Sequence, residues 1–140
     1  MIYVFDTNVL SEVMRAIPDP NVGAWLSACP ADAMFTTAIS LGEILYGIRR
    51  LPQGARRYRL ERAAQAMFVQ EFEGRVLPFD AVAAERYADT RIERTRSGRL
   101  LAAEDGMIAA IAKARGAVVV TRDLGGFDGC GVTLVDPWEA

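Results

Sequence analysis

The sequence predicts an α/β protein, a three-layer α/β/α sandwich around a central, mostly parallel sheet, folded as a single domain over residues 1–140. Three observations lead there. Short apolar runs rich in β-branched residues recur along the chain, and helix-periodic stretches lie between most of them. Strands joined through helices form parallel sheets with right-handed crossovers, so the helices cover both faces. The chain has 140 residues, 51% of them hydrophobic and 24% charged, which is enough to build one core in a globular protein.

Taken in order, Ile2–Phe5 is a buried strand closed by Asp6, with Thr7 and Asn8 as N-caps for a helix carrying Val9, Leu10, Val13 and Met14. Ala16–Pro20 reads as a loop whose Asp19 caps a helix with Pro20 at its first position. Val22, Trp25, Leu26 and Cys29 then share one face, before a break at Pro30–Asp32 and a strand at Ala33–Thr36. Thr37–Arg50 carries a helical stripe of Leu41, Ile44, Leu45 and Ile48. Gly42 and Gly47 each cost that helix roughly 1 kcal/mol relative to alanine and are expected to admit a close neighbour. A long helix, Ala55–Glu73, follows, and the pair can form a hairpin that leaves the main body. Next come a strand at Val76–Phe79, a cap at Asp80 and a helix over Ala81–Arg96. An Ala-rich helix, Ala102–Arg115, ends on Gly116 as its C-cap. Ala117–Thr121 is the best strand in the chain, Arg122–Gly131 a Gly-rich loop, and Val132–Val135 a closing strand.

Composition excludes much. The chain has no histidine, which removes Ser-His-Asp and Cys-His nucleophiles and zincin-type sites. No apolar run approaches the roughly 20 residues that span a bilayer, and no signal peptide precedes the first strand, so a cytoplasmic location is expected. Cys29 and Cys130 lack metal-ligand spacing and read as free thiols. The net charge of −2 gives no hint of nucleic acid, but its distribution is uneven: 15 of the 16 basic residues are Arg, and six of these fall between Arg49 and Arg62. A guanidinium fork suits phosphate and carboxylate.

Most acids read as solvated helix faces or caps, and Glu12 is unremarkable. Four positions stand apart. Glu43 is the only charged residue between Asp32 and Arg49, so an unpaired carboxylate there is expected to need a partner or a metal, unless it pairs with an Arg or lies on a narrow exposed strip. Asp6 and Asp123 each follow a strand, which puts both at the carboxyl edge of a parallel sheet, where ligands bind; each can equally cap the turn that follows. Glu104 and Asp105 open the Ala-rich helix, and periodicity does not choose between them. If these acids converge, each pair at ~5 Å repels by roughly 3 kcal/mol at an effective dielectric near 20. A hard divalent cation, Mg²⁺ or Mn²⁺, relieves that repulsion and suits phosphodiester hydrolysis.

The segments V-F-D-T-N-V-L-S-E, T-T-A-I-S-L-G-E-I-L-Y-G-I, R-V-L-P-F-D, A-A-E-D-G-M-I-A-A and V-T-R-D-L-G-G-F, in this order and at these intervals, resemble the PIN-domain ribonucleases. Within that family the chain is most similar to the VapC-type toxins of bacterial toxin–antitoxin pairs, in particular their FitB-like members. The resemblance implies a PIN-like fold and Mg²⁺-dependent cleavage of RNA. It matches Asp6, Glu43, Asp105 and Asp123 to the family's metal-binding acids and so favours Asp105 over Glu104, to which it leaves a supplementary role. Thr7, Asn8 and Thr121 match polar positions flanking those acids. It also implies a homodimer silenced by a small DNA-binding antitoxin, so that contact with operator DNA is indirect. Arg49, Arg50, Arg56, Arg57 and Arg59 then offer contacts to RNA phosphates or to the antitoxin. Two other classes compete. A phospho-accepting receiver domain needs a lysine after a late strand, whereas the only lysine, Lys113, lies within a helix. A catalytically silent scaffold acting through its antitoxin is the remaining alternative, and the presence of all four acids does not recommend it.

Overall fold

The computed structural model describes residues 1–140. Five short strands, β1 (Tyr3–Phe5), β2 (Met34–Thr37), β3 (Val76–Leu77), β4 (Val118–Val120) and β5 (Leu134–Val135), form one sheet in the order β3-β2-β1-β4-β5. Every neighbouring pair is parallel, so the sheet is wholly rather than mostly so. Tyr3 lies opposite Met34 and Val118, and Phe5 opposite Val120. This register brings the ends of β1, β2 and β4 to one edge. The ladder runs one residue further there, where the Asp6 N–H donates to the Val120 carbonyl at 2.9 Å.

Alternation along β1 divides the core. Phe5 faces a cluster with Val9, Leu10, Val22, Ile44, Ile48, Met67 and Trp138. These come from α1 (Thr7–Val13), α2 (Pro20–Ala28), α3 (Ala38–Arg49), the segment after α4 (Ala55–Gln65), and the C-terminal residues. Val4 faces the other way, into a cluster with Val119, Leu77, Ala83, Phe127 and Ile108–Ala112. That layer is built by α5 (Ala81–Arg96), α6 (Ala103–Arg115) and a single turn, α7 (Leu124–Phe127). Fully buried Val, Ile and Phe side chains on both faces supply the main stabilising term, about 1.5–3 kcal/mol each.

Several expectations change. The N-cap of α1 is Asp6, whose Oδ1 accepts the Thr7 N–H at 2.8 Å, rather than Thr7 or Asn8. The helix expected over Ala55–Glu73 is α-helical only to Gln65 and closes in a π-helical turn, Ala66–Glu71. Helices α3 and α4 do pair, but Ala64, Met67 and Phe68 enter the first core, so the hairpin stays on the body. A β-carbon at Gly42 or Gly47 would meet nothing within 4 Å, so these glycines admit no close neighbour. Glu12 is buried: its carboxylate accepts the Asp19 N–H at 2.8 Å and pairs with Arg15 at 3.3 Å, fastening the loop between α1 and α2. The Gly-rich loop contains α7. Gly116, at φ 62°, ends α6 in the left-handed conformation expected of it. No helix is long and apolar enough to cross a membrane.

Candidate metal centre

The carboxyl edge of the sheet collects the polar residues. Asp6 leaves β1 and is 5% exposed; three neutral donors hold it. Beyond the Thr7 N–H on Oδ1, the Thr121 hydroxyl donates to Oδ2 at 2.8 Å and Asn8 Nδ2 lies 3.3 Å from the same oxygen. Thr121 follows β4 and is fully buried, and its Oγ1 also accepts the Asp123 N–H at 3.0 Å and a contact from Asn8 Nδ2 at 3.2 Å. The Asn8 side chain is fixed in turn by the Arg122 N–H, which donates to its Oδ1 at 3.3 Å. Thr121 is thus a hinge pin between Asp6 and Asp123, and Asn8 spans the same gap.

Glu43 comes from α3, one turn after Ser40, whose N–H donates to the capping Thr37 hydroxyl at 3.1 Å. It is exposed rather than buried, so desolvation is not what calls for a partner. The Thr7 hydroxyl donates to its Oε1 at 2.6 Å and shares a 3.0 Å hydrogen bond with the buried Ser40 hydroxyl. Asp123 is the N-cap of α7, its Oδ1 accepting the Gly126 N–H at 3.0 Å. Asp6 and Asp123 therefore both cap and both face the cluster; one carboxylate has oxygens for each task. Asp105, in the first turn of α6, closes the group: a β-carbon on Gly126 would collide with the Asp123 carboxylate and lie 3.0 Å from Asp105 Oδ2. Glycine at 126 is what lets the two acids share that space.

The electrostatics follow from this convergence. Burial pushes the Asp105 carboxyl up to about 6, and the charges of Asp6, Asp123, Glu43 and, last, Glu104 add to the rise. Glu104 is exposed and reaches the cluster only through this weakest influence. Burial also raises the Asp6 carboxyl, against the lowering effect of its Thr121 and Thr7 hydrogen bonds; Glu43 and Asp123 raise it further. No protein cation offsets the group. The chain's ion pairs are Arg15–Glu12, Arg57–Glu61 and Arg99–Asp128. Arg122, next in sequence to Asp123, lies over the Trp138 ring instead, 4.7 Å from its centroid.

These residues fit a hard divalent cation. The donors are all oxygen, the local charge is negative, and nothing else neutralises it. The carboxylates do not by themselves close as three or more ligands about one point. That arrangement suits an ion such as Mg²⁺, which keeps several waters and is held by one or two carboxylates.

Sequence reasoning passed over three residues that shape the site. Ser40 and Gly126 carried weak signals, a hydroxyl three residues after a cap and a glycine pair after an acid. Arg94 carried none. It is 4% exposed, and its guanidinium donates to the carbonyls of Gly126 (3.1 Å), Asp128 (2.6 Å) and Leu100 (2.6 Å). It thereby ties the loop bearing Asp123 to the one leading into Asp105. Of the five arginines offered as contacts, Arg50, Arg56 and Arg59 line a groove that Glu43 and Thr7 also border. Arg49 faces a separate apolar groove, and Arg57 is held by Glu61 at 2.8 Å.

Comparison with known proteins adds the family. The PIN domain family matches residues 3–128. The chain is 38% identical to the VapC ribonuclease Y4jK of Sinorhizobium fredii over 136 residues, 97% of each chain. It is 36% identical to the toxin FitB of Neisseria gonorrhoeae over 136 residues, 97% of this chain and 98% of that one. Among solved structures, FitAB bound to an IR36 DNA fragment superimposes with a TM-score of 0.91 at 36% identity, covering 98% of this chain and 96% of that one.

Proposed function

Since this chain belongs to the PIN-domain family, we propose that it is the toxin of a type II toxin–antitoxin pair, an endoribonuclease that hydrolyses RNA phosphodiester bonds with Mg²⁺ or Mn²⁺. The observation that carries this reading is the cluster of Asp6, Glu43, Asp105 and Asp123 with no protein cation to neutralise it. These four residues would hold the metal ion, one or two of them directly and the others through the waters it keeps. When bound, the ion supplies an acidified water at neutral pH and positive charge beside the leaving oxygen.

The chain's own residues do the positioning. Thr121, Asn8 and the Thr7 N–H lock both oxygens of Asp6, so its carboxylate cannot swing away from the centre. Thr121 ties Asp123 to the same frame through the backbone. Glu43 is anchored by Thr7 at one oxygen and stands on the open side, where it can orient the attacking water. Such fixed dipoles and charges are worth more here than in water because no reorganisation accompanies the reaction.

The partners follow from the relatives. FitAB binds DNA as a complex, and this chain is accordingly assigned a small DNA-binding antitoxin that brings operator DNA to it indirectly. Action in the cytoplasm as a homodimer belongs to the same proposal. The test is RNA cleavage by wild type and Asp6→Asn with Mg²⁺ present, and by wild type in EDTA. Cleavage confined to wild type with metal is the expected result. Equal, EDTA-resistant cleavage by both proteins overturns the reading.

A further inference from the structure

A groove of about 420 Å³ runs between α1, α3 and α4 and begins at the acid centre, since Thr7 and Glu43 border both. Its walls carry Arg15, Arg50, Arg56 and Arg59. Arg15 is paired with the buried Glu12. Arg50 leans on the exposed Tyr46 ring, 5.9 Å from its centroid, and neither it, Arg56 nor Arg59 is in an ion pair. Three guanidiniums line one depression, none of them paired with the Glu43 carboxylate at its end or with any other acid, and an anion relieves their mutual repulsion as a cation relieves the acids. The two clusters are adjacent and opposite in sign, as a metal-bound scissile phosphate followed by further phosphates requires. Gly47 is the one position on the groove wall without a side chain. It lies on the groove between Glu43 and Arg50, and a β-carbon there would meet nothing within 4 Å.

We propose that this groove is a phosphate track: Arg50, Arg56 and Arg59 take successive backbone phosphates of a single strand whose scissile bond sits at the acid centre. The proposal rests on the ribonuclease reading for the direction of the strand, but the binding it asserts is measurable without cleavage. Arg49 and Arg57, from the same basic segment, lie off the track. Each phosphate neutralised on a single strand contributes about −0.7 to the slope of log K against log salt, so three contacts contribute about −2.

The experiment uses the full chain and a fluorescein-labelled 2′-O-methyl oligouridine of roughly 12 nucleotides, in EDTA, read by anisotropy across a salt series. Changing Arg50, Arg56 and Arg59 together to Gln is expected to weaken binding by tenfold or more at low salt and to cut the slope by about 2. Changing Arg49 and Arg57 to Gln should move neither quantity by comparable amounts. Gly47→Leu should weaken binding with the slope retained, because it fills the track without removing charge. Absence of binding by wild type, an unchanged slope in the triple variant, or equal losses in the control pair each overturns the proposal; an unchanged slope returns the groove to a protein partner. If wild type binds as expected yet cleaves no RNA with Mg²⁺, the ribonuclease reading fails and the track stands.

Discussion

Asp6 and Arg94 are buried to the same depth, 5% and 4% exposed, and neither is in an ion pair. Their surroundings differ in one respect. Arg94 is met by groups of the complementary sign, three backbone carbonyls and the Cys130 sulfur. Asp6 is met by neutral donors and then by like charges, Glu43 and Asp123. Both therefore have hydrogen bonds, but only Arg94 sits in a favourable field. A buried charge whose neighbours stabilise it holds a fold together. One whose neighbours repel it lowers stability and stays only where something outside the chain supplies the missing charge. On this ground Arg94 belongs to the fold and Asp6 to the role proposed for the acid centre, although burial alone ranks them equal.

The largest effect expected is on Arg94. Arg94→Met keeps most of the side-chain volume but leaves the carbonyls of Gly126, Asp128 and Leu100 without their donor. Orphaning such groups costs ~1–3 kcal/mol each where water does not reach them, so a loss of about 3 kcal/mol or more is expected in urea denaturation. Arg94→Lys should fall between, since one ammonium does not reach all three acceptors. A loss under about 1 kcal/mol would erase the distinction drawn here. Asp6→Asn should behave in the opposite way. RNA cleavage with Mg²⁺ should drop by on the order of 100-fold or more. The melting temperature in EDTA should not fall, because an amide oxygen still accepts the Thr7 N–H and one negative charge leaves the cluster. A clear fall in melting temperature would make Asp6 structural as well.

Thr121→Val sharpens the comparison from the side of the hinge. The substitution preserves shape and removes the donor to Asp6 Oδ2 together with the acceptor of the Asp123 N–H. Groups that orient metal ligands typically change affinity by 10–100-fold, so Mn²⁺ binding by calorimetry should weaken by about tenfold. The stability cost should be about 1 kcal/mol. Equal Mn²⁺ affinity in the variant would show that the acids need no such pin.

The same contrast marks what could be read from the sequence. Asp6 and Asp123 declared themselves because an acid directly after an apolar run has a place in a parallel sheet, its carboxyl edge. Glu43 declared itself by isolation in an apolar helix, and of the two readings that isolation allowed the exposed strip is the one observed. Arg94 could not declare itself: it shares α5 with Arg86, Arg91 and Arg96, and only loops distant in sequence distinguish it from them. Gly126 shares this character in part: the Asp123 carboxylate three positions earlier demands glycine there first, and Asp105, 21 positions earlier, adds to the demand. The division of Arg49–Arg59 between two grooves and an ion pair depends on how α4 docks on α3, which helical periodicity alone does not give. The order of elements was legible because period and punctuation are local. The wholly parallel pairing and the π-helical turn at Ala66–Glu71 required the packed core.

The smallest effect, and the one that separates Asp6 and its neighbours from Arg94 most cleanly, is a dependence on pH. Asp105 rises from an ordinary value of 3.8 to about 6 in the folded chain, through burial first and then the surrounding acids. Between roughly pH 4 and pH 6 the folded chain holds a proton that the unfolded chain has released, so the group favours folding at the acid end of that window. As pH rises through 6 the proton leaves, and the group's effect turns into a penalty that is complete near pH 7. In EDTA, the stability of Asp105→Asn relative to wild type should therefore grow from pH 5 to pH 7 and then level off. Asp105 is only half-buried, so solvent screening keeps the effect small. Saturating Mg²⁺ should shrink or reverse the difference at pH 7, because the ion supplies the positive charge the chain lacks. Urea denaturation of both proteins at pH 5, 6, 7 and 8, with and without the ion, measures it. A difference that stays flat across this range in EDTA would mean that Asp105 does not share the field of Asp6, Glu43 and Asp123, and the repulsion ascribed to the cluster would have to lie among those three alone.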